Sequence, residues 1–241
     1  MPKLLPRTFF ERDPRRVARD LLGKLLIRRL EGKPRRLIAA RIVETEAYLG
    51  ERDLAAHAAA GMTPRNAVLF GPAGHAYVYF TYGMYHCMNI SCEREGTAGC
   101  VLLRALEPLS GLEAMAAGRH LTLPDEPTQK TLKLLTSGPG RLCQALHITR
   151  ADDNGKDVTS RRSDLQVADD GYQPKRITTT ERIGISKDAH LKLRYLIADN
   201  PFVSGRSTSK PRPSRTAPVP ARKPLARRAR PARTRYDSAA G

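Results

Sequence analysis

Two glutamates in the first quarter of the chain have a spacing that could support acid–base chemistry. Glu44 and Glu46 are separated by one residue in the run 36–49, which is otherwise mainly apolar on the same face. If that run is a strand, alternate side chains share a face, so both carboxylates lie beside Tyr48. A carboxylate in such surroundings can act as a general base or position a water, or it can form a structural ion pair with Arg41 or Arg104.

Hydrolysis of a sugar glycosidic bond is another chemistry open to paired carboxylates, because two acids flank the bond in that reaction. Two residues on one strand face lie about 7 Å apart by strand rise, so geometry leaves a carbohydrate glycosidase possible. The surplus of positive charge in the chain argues mildly against it.

Tyrosines form a second concentration of functional groups. The chain has eight tyrosines and no tryptophan, and Tyr77, Tyr79, Tyr82 and Tyr85 fall within nine residues. Packing of a β-hairpin accounts for such a cluster. The competing interpretation is a stacking platform, since bases extracted from a duplex are held between aromatic faces.

The charge of the chain favours nucleic acid as the partner. Its 241 residues carry a net charge of +18, and residues 205–241 hold 11 of the 42 basic residues and one of the 24 acids, which is +10 of that total. We expect a domain at residues 1–204 and a disordered, Pro/Arg-rich basic tail at 205–241. No apolar run is long enough to cross a membrane and no secretory signal is recognisable, so we expect a soluble, intracellular protein.

The four cysteines do not have the spacing of a metal site or a disulfide framework. Cys87, Cys92, Cys100 and Cys143 contain no C-x-x-C pair, and buried reduced thiols are the simplest interpretation. His86 beside Cys87 is the one candidate ligand pair. We expect neither a metal nor a cofactor.

Several elements are predicted by local patterns. Residues 13–22 have the N-cap and Pro of a helix start, 24–30 and 36–49 are strand-like, and an alanine-rich helix is expected at 53–60, with His57 inside it. The further predicted elements are a hairpin of 76–82 and 85–91, a strand at 99–105, helices at 111–118 and 141–145, and closing strands at 182–185 and 192–197. Residues 150–176 are too polar to assign.

Eleven motifs in one order resemble the alkyladenine DNA glycosylase family, also called 3-methyladenine or methylpurine DNA glycosylases. They span nearly all of residues 4–204, although 119–180 contains only two of them. The motifs are 41–50 (RIVETEAYLG), 55–57 (AAH), 63–66 (TPRN), 77–79 (YVY), 82–85 (YGMY), 87–91 (CMNIS), 101–108 (VLLRALEP), 137–139 (SGP), 142–146 (LCQAL), 182–185 (RIGI) and 200–204 (NPFVS).

The resemblance implies roles for eight residues. Glu46 matches the family's general base, Arg104 matches the arginine that helps to hold the attacking water, and the main-chain carbonyl of Val203 is a further contact of that water. The walls of the base pocket fall on Tyr48, His57 and Tyr79. Asn89 matches the side chain that discourages guanine, and Tyr82 matches the residue that wedges into the duplex.

The same resemblance implies the fold and the reaction. We expect an α+β fold, a single mixed domain with a curved, mainly antiparallel sheet, surrounding helices and a protruding hairpin. We expect a monomer that acts on double-stranded DNA containing damaged purines, with 3-methyladenine and 7-methylguanine as substrates and hypoxanthine as a further candidate. The bases would be flipped out and released by a monofunctional hydrolysis that leaves an abasic site. The alternative is a non-catalytic protein that binds damaged DNA through the same pocket.

Overall fold

A computed structural model describes residues 2–32, 36–81 and 83–205. These residues form nine strands, six short α-helices and two 3-10 turns. The strands are β1 (Lys3–Leu4), β2 (Leu25–Leu30), β3 (Arg36–Tyr48), β4 (Ala76–Thr81), β5 (Tyr85–Cys92), β6 (Gly99–Ser110), β7 (Leu165–Asp169), β8 (Ile177–Thr180) and β9 (Arg194–Ile197). The helices are α1 (Arg7–Phe10), α2 (Pro14–Asp20), α3 (Leu112–Gly118), α4 (Gln129–Thr136), α5 (Pro139–Ala145) and α6 (Arg150–Asp153).

All nine strands belong to one antiparallel sheet in the order β1-β7-β2-β3-β6-β5-β4. The long strand β3 pairs with β6 on one side; on the other side it pairs first with β2 and then, at Glu44–Glu46, with β9. β8 extends the sheet beyond β9. The expected α+β fold with a mainly antiparallel sheet is therefore confirmed.

The pairing of β3 with β6 is irregular where the two glutamates lie. Ile42 pairs with Leu106 and Glu44 with Ala105, so Val43 is skipped on β3; Thr45 then pairs with Leu103, so Arg104 is skipped on β6. Bulges of this kind bend a strand and re-aim side chains. Regular alternation along β3 is thus broken, and residues 42–47 are all buried.

Two apolar clusters lie in the domain. The larger one fills the space between the sheet and helices α2, α3, α4 and α5. The smaller one contains Ala58, Leu69, Phe70, Tyr77, Ala98 and Cys100, with Tyr48 and Tyr79 packed against it. The smaller cluster therefore contains Tyr77 and packs against Tyr79, two of the four clustered tyrosines in the sequence.

Most local predictions are confirmed. Helix α2 begins as expected, with the Asp13 carboxylate accepting the Arg15 N–H and Pro14 in the first turn. Strand β2, the β4–β5 hairpin, α3, α5 and β9 also form where they were expected, and β6 runs five residues longer than predicted, to Ser110. All four cysteines are buried and unpaired.

Two predicted elements are wrong. Residues 54–60 form turns rather than an α-helix, because the N–H groups of Ala56, Ala59 and Gly61 donate to carbonyls three residues earlier and the Asn66 side chain donates to the His57 carbonyl. Residues 182–185 form no strand, since the Arg182 side chain turns inward to Asp53 and the sheet ends its pairing at Thr180. Helices α4 and α6 and strand β7 lie in regions that were left without predicted elements.

The predicted basic tail, apart from Gly205, and the predicted wedge residue Tyr82 lie outside the described residues. Within residues 2–32, 36–81 and 83–205, no helix is long and apolar enough to cross a membrane. In those same ranges no cluster of three or more His, Cys, Asp or Glu side chains could hold a metal ion.

Candidate active site

Two buried carboxylates and one arginine form the centre of the candidate site. Glu46 and Glu44 project from the irregular part of β3 toward Arg104 on β6. Arg104 Nη1 lies 3.2 Å from Glu46 Oε1, and Arg104 Nε lies 3.1 Å from Glu44 Oε1. The sequence left the partner open between Arg41 and Arg104, and the structure selects Arg104; Arg41 pairs with Asp170 instead.

The pKa of Arg104 shows how the two charges act together. Burial by itself lowers the pKa of the guanidinium, but the adjacent carboxylates of Glu46 and Glu44 outweigh burial and raise it above its ordinary value. Arg104 is therefore a permanent cation that bridges both glutamates.

Glu46 accepts two more hydrogen bonds besides its contact with Arg104. The backbone N–H of Ile183 donates to Oε1 at 2.8 Å, and the hydroxyl of Tyr48 donates to Oε2 at 3.0 Å. Burial, followed by the Glu46 charge, raises the pKa of Tyr48, which keeps its proton available for this hydrogen bond. Donors therefore converge on both oxygens and hold the carboxylate in one orientation, as a general base requires.

Glu44 has a different environment from Glu46. Its Oε1 accepts from Arg194 Nε at 2.6 Å as well as from Arg104, and its Oε2 accepts from the Ser204 N–H at 2.5 Å. Arg194 also donates to the Ser204 carbonyl at 3.0 Å. Glu44 thus joins β3, β6, β9 and the segment after Phe202, which is a structural role rather than a catalytic one.

A cavity of about 370 Å³ lies in front of this charged group. That volume falls in the range of about 300–1,000 Å³ typical of small-molecule sites. Its walls include Tyr48, His57, Tyr79, Asn89 and Arg104, which are five of the eight residues predicted from the sequence; the remaining walls are Ala55, Leu69, Tyr77, Thr81, Cys87, Cys100, Leu102, Pro139, Ile183, Gly184 and Ile185.

His57 and two tyrosines form the aromatic side of the cavity. The rings of His57 and Tyr79 meet edge to face with centroids 4.4 Å apart, and His57 Nδ1 lies 2.9 Å from the Tyr77 hydroxyl. Burial, with a smaller effect from the charge of Arg65, lowers the pKa of His57. The ring is therefore neutral at neutral pH. A neutral aromatic wall of this kind accepts a flat cationic ligand without charge repulsion.

Asn89 lies on the floor of the cavity with its amide orientation restrained. Its Nδ2 donates to the Tyr77 carbonyl at 3.4 Å, and its Oδ1 accepts from the Cys100 thiol at 3.8 Å. The side chain is buried, so it offers a defined polar edge to whatever enters.

Val203 is not brought into contact with Glu46 in the described part of the chain. Its N–H donates to Asn200, it does not line the cavity, and the next residue, Ser204, binds Glu44. The segment that carries Val203 is therefore attached to the acidic pair through Glu44.

A buried ion pair behind Tyr48 was not predicted from the sequence. Arg182 and Asp53 make two hydrogen bonds, with Nη1 to Oδ2 at 2.5 Å and Nη2 to Oδ1 at 2.9 Å. The sequence placed Arg182 in a motif and in a predicted strand, and Asp53 at a predicted helix start. Arg182 and Asp53 lie 129 residues apart in the sequence. The one sequence signal for this pair was that Arg182 belongs to a family motif and Asp53 lies between two of them.

A second cleft, of about 410 Å³, adjoins the cavity and shares Thr81, Cys87 and Pro139 with it. Arg119 and Arg141 both line it. Burial, and then the like charge of Arg141, lowers the pKa of Arg119. Neither arginine has a carboxylate partner among the residues that the structure describes, so the cleft is a local surplus of positive charge.

The family model described as methylpurine-DNA glycosylase matches residues 8–201. The chain belongs to the methylpurine-DNA glycosylase family. A relative from Koribacter versatilis (strain Ellin345) is 59% identical over 202 residues, covering 84% of this chain and 93% of the relative. Relatives from Alkaliphilus oremlandii (strain OhILAs) and Methanocella arvoryzae (strain DSM 22066 / NBRC 105507 / MRE50) are 44% and 46% identical, covering 83% and 85% of this chain and 98% and 97% of the relatives. All three carry the provisional name 3-methyladenine DNA glycosylase.

Family membership selects among the alternatives that the sequence left open. This DNA glycosylase is a hydrolase that acts on N-glycosyl bonds, and its substrate is DNA. The resemblance drawn from the motifs is confirmed, whereas the carbohydrate glycosidase and the non-catalytic DNA-binding protein are set aside.

Proposed function

We propose that this glycosylase rotates alkylated or deaminated purines out of double-stranded DNA and hydrolyses the N-glycosyl bond with a water activated by Glu46. The substrates are 3-methyladenine and 7-methylguanine, with hypoxanthine as a further candidate, and the product is an abasic site. The observation that carries the proposal is the position of Glu46, which is buried directly behind the Tyr48 and Arg104 walls of an aromatic cavity.

Binding of the damaged base rests on the aromatic walls. Alkylation at N3 or N7 places a positive charge on the purine, and each aromatic ring stacked on it contributes about 1–3 kcal/mol. Tyr48 and Tyr79 supply electron-rich faces, and the neutral ring of His57 adds a third wall. An undamaged neutral purine gains less from the same walls, which favours the alkylated base.

The hydrolysis needs a base and a stabilising charge but little acid catalysis, because the cationic purine is already a good leaving group. The water oxygen bonds to C1′ of the sugar and gives its proton to Glu46. The C1′–N bond breaks, and its electron pair neutralises the departing purine. Among the described residues no lysine lines the cavity, so the reaction proposed is monofunctional, without an amine nucleophile.

The remaining predicted residues have roles that support this reaction. Asn89 presents its restrained amide to the base and disfavours guanine by crowding its exocyclic amino group. From the motif resemblance, the carbonyl of Val203 is proposed as a further contact of the water besides Glu46 and Arg104, and Tyr82 is the proposed wedge that fills the space left by the flipped nucleotide. The enzyme acts as a monomer.

The charged cleft beside the cavity suits the DNA backbone. A purine in the cavity places its own phosphates nearby, and Arg119 and Arg141 lie in the adjoining cleft. Cations without carboxylate partners attract phosphates by releasing counterions. The basic residues of 205–241 are proposed to add less specific phosphate contacts of the same kind.

Base release from defined duplexes tests the proposal. Wild-type protein should release 7-methylguanine, and Glu46→Gln should lower the single-turnover rate by about 10²–10⁴-fold, as expected for loss of a general base. Binding of the damaged duplex should survive this change. Glu95→Gln is the control, since Glu95 is exposed. Wild-type protein that releases no modified purine would refute the proposed function, and an active Glu46→Gln variant would refute the role of Glu46.

A further inference from the structure

The Arg182–Asp53 pair connects three parts of the chain that build the site. Asp53 belongs to the turn that leads to His57, and Arg182 belongs to the loop after β8. Arg182 Nη1 also donates to the carbonyl of Ala47, the residue between Glu46 and Tyr48, at 3.1 Å. Both side chains are fully buried, so this pair lies inside the domain and does not line the cavity.

The pair contacts the base pocket through Tyr48. The guanidinium carbon of Arg182 lies 4.6 Å from the centroid of the Tyr48 ring. Tyr48 is also the residue whose hydroxyl donates to Glu46. The position of this ring therefore affects both the stacking surface and one hydrogen bond to the base.

The pair is also linked to Glu46 through the backbone, besides the link through Tyr48. Ile183 directly follows Arg182, and its N–H donates to Glu46 Oε1 at 2.8 Å. Because Arg182 is held at two atoms by Asp53, the direction of the neighbouring peptide group is held as well. Displacing Arg182 would thus move two of the donors that fix the carboxylate.

Asp53 is itself firmly placed. Its carboxylate accepts the N–H groups of Leu49 and Ala55, each at 3.1 Å. Burial alone raises the pKa of Asp53, but the hydrogen bonds from Arg182 and these two backbone groups outweigh it and lower the pKa below its ordinary value. The chain can turn here because Gly50 has φ +66°, and a Cβ at this position would lie 3.0 Å from the Ala98 carbonyl.

From these contacts we propose that Arg182 and Asp53 are positioning residues for the glycosylase reaction, which set the Tyr48 wall and the Glu46 carboxylate in one geometry. The proposal rests on the proposed function of Glu46. It goes beyond a stabilising ion pair, since a pair that only stabilised the fold would leave the reaction of folded enzyme unchanged.

The chain offers a matched control for this distinction. Arg28 and Asp153 form another buried pair, with Nη1 to Oδ1 at 2.6 Å, and Asp153 also accepts a backbone N–H, from Thr149. Neither residue lines the cavity or the adjoining cleft. Asp153 also pairs with Lys156, at 2.8 Å, so its surroundings hold one more cation than those of Asp53. Asp53→Asn and Asp153→Asn each remove one carboxylate charge from a fully buried, arginine-paired aspartate, and only the first lies behind the base pocket.

The test measures single-turnover release of 7-methylguanine by full-length protein at saturating enzyme, below the unfolding temperature of each variant. Asp53→Asn should lower the rate by about 10–100-fold, the effect expected of a displacement near 1 Å, while the dissociation constant for undamaged duplex stays within about twofold. Asp153→Asn should lower the unfolding temperature but keep the wild-type rate. Arg182→Lys, which keeps the charge and loses the two-atom contact, should reproduce the rate loss if Asp53→Asn is too unstable to assay.

Two outcomes would overturn the positioning role of Arg182 and Asp53. Folded Asp53→Asn or Arg182→Lys that releases base at the wild-type rate would do so, as would equal rate losses in the Asp53 and Asp153 variants. Both results require an active wild-type enzyme. They are thus distinct from failure of the proposed function, in which the wild type itself releases no base.

Discussion

Removing the charge of Glu44 should destabilise the domain by an amount that its contacts allow us to work out. In Glu44→Gln the side-chain amide replaces two acceptor oxygens with one oxygen and one NH2 group. If the oxygen faces Arg104 and Arg194, the NH2 group faces the Ser204 N–H; if it is reversed, the NH2 group faces the two guanidinium groups. In either orientation a donor opposes a donor, so at least one buried donor loses its partner.

The cost follows from the burial of all three side chains. Breaking a buried ion pair by removing one partner costs about 3–5 kcal/mol. For a domain of about 200 residues, each kcal/mol shifts the unfolding temperature by about 2–4 °C. Glu44→Gln should therefore lower the unfolding temperature by roughly 6–20 °C.

Thermal unfolding followed by circular dichroism measures this shift. The control is Glu95→Gln, which removes the same charge from an exposed side chain and should change the unfolding free energy by no more than about 0.5 kcal/mol. A decrease of less than about 3 °C for Glu44→Gln, roughly 1 kcal/mol for a domain of this size, would refute the reasoning. It would mean that Arg104 and Arg194 are held without the Glu44 charge.

Two further predictions concern the cavity and the adjoining cleft. Because the pKa of His57 is lowered from its ordinary 6.5, its stabilising contribution is complete above pH 6.5 and is lost as the pH falls toward the folded-state pKa. The ring of the folded enzyme becomes protonated only below that folded-state pKa. There KM for cationic 7-methylguanine should rise more than KM for neutral hypoxanthine, and His57→Gln should abolish the difference; equal changes for both substrates would contradict the argument that a neutral His57 ring favours the cationic base. For the cleft, Arg141→Gln should reduce the slope of log affinity against log salt concentration by about 0.9, the value for one phosphate contact. The control is Arg161→Gln, which should leave the slope unchanged because Arg161 is exposed and lines neither the cavity nor the cleft. An unchanged slope in Arg141→Gln would show that this residue does not contact a DNA phosphate.

The elements that could be predicted from the sequence are those in which local pattern and tertiary environment agree. The Asp13-Pro14 start, the hairpin around Gly83 and the apolar run of β6 are examples. Strand β7 was missed because it is a short segment within a polar region. It forms a strand because β1 and β2 pair on either side of it.

The alanine-rich segment 53–60 shows why local propensity failed. Alanines favour a helix, but the Asn66 side chain donates to the carbonyls of His57 and Gly61, and the N–H groups of Ala56, Ala59 and Gly61 donate to carbonyls only three residues earlier. These contacts replace the hydrogen bonds that a helix would make. The resulting turns are what place His57 against Tyr77 and Tyr79.

The sequence predicted which residues belong to the candidate site, but not the contacts that hold those residues in place. The strand pattern placed Glu46 beside Tyr48, and the family motifs assigned Arg104 to the same site. The bulge at Arg104 depends on β3, 60 positions away at Glu44. Glu44 contacts Arg194 and Ser204 at separations of 150 and 160 positions, and Asp53 contacts Arg182 at 129, and no local pattern in the sequence encodes such distances.

The charges behind the cavity explain how a cationic base could be both attracted and then released. Glu44, Glu46 and Asp53 are balanced by Arg104, Arg182 and Arg194, and all six are buried. The group is therefore close to neutral, and the cationic purine is held mainly by the aromatic faces. In the proposed reaction, the proton from water passes to Glu46 when the bond breaks, and the purine leaves without its charge. The neutral product of the proposed reaction would have no cation–π attraction to Tyr48 and Tyr79, so the same step that completes the chemistry would weaken the binding of the product.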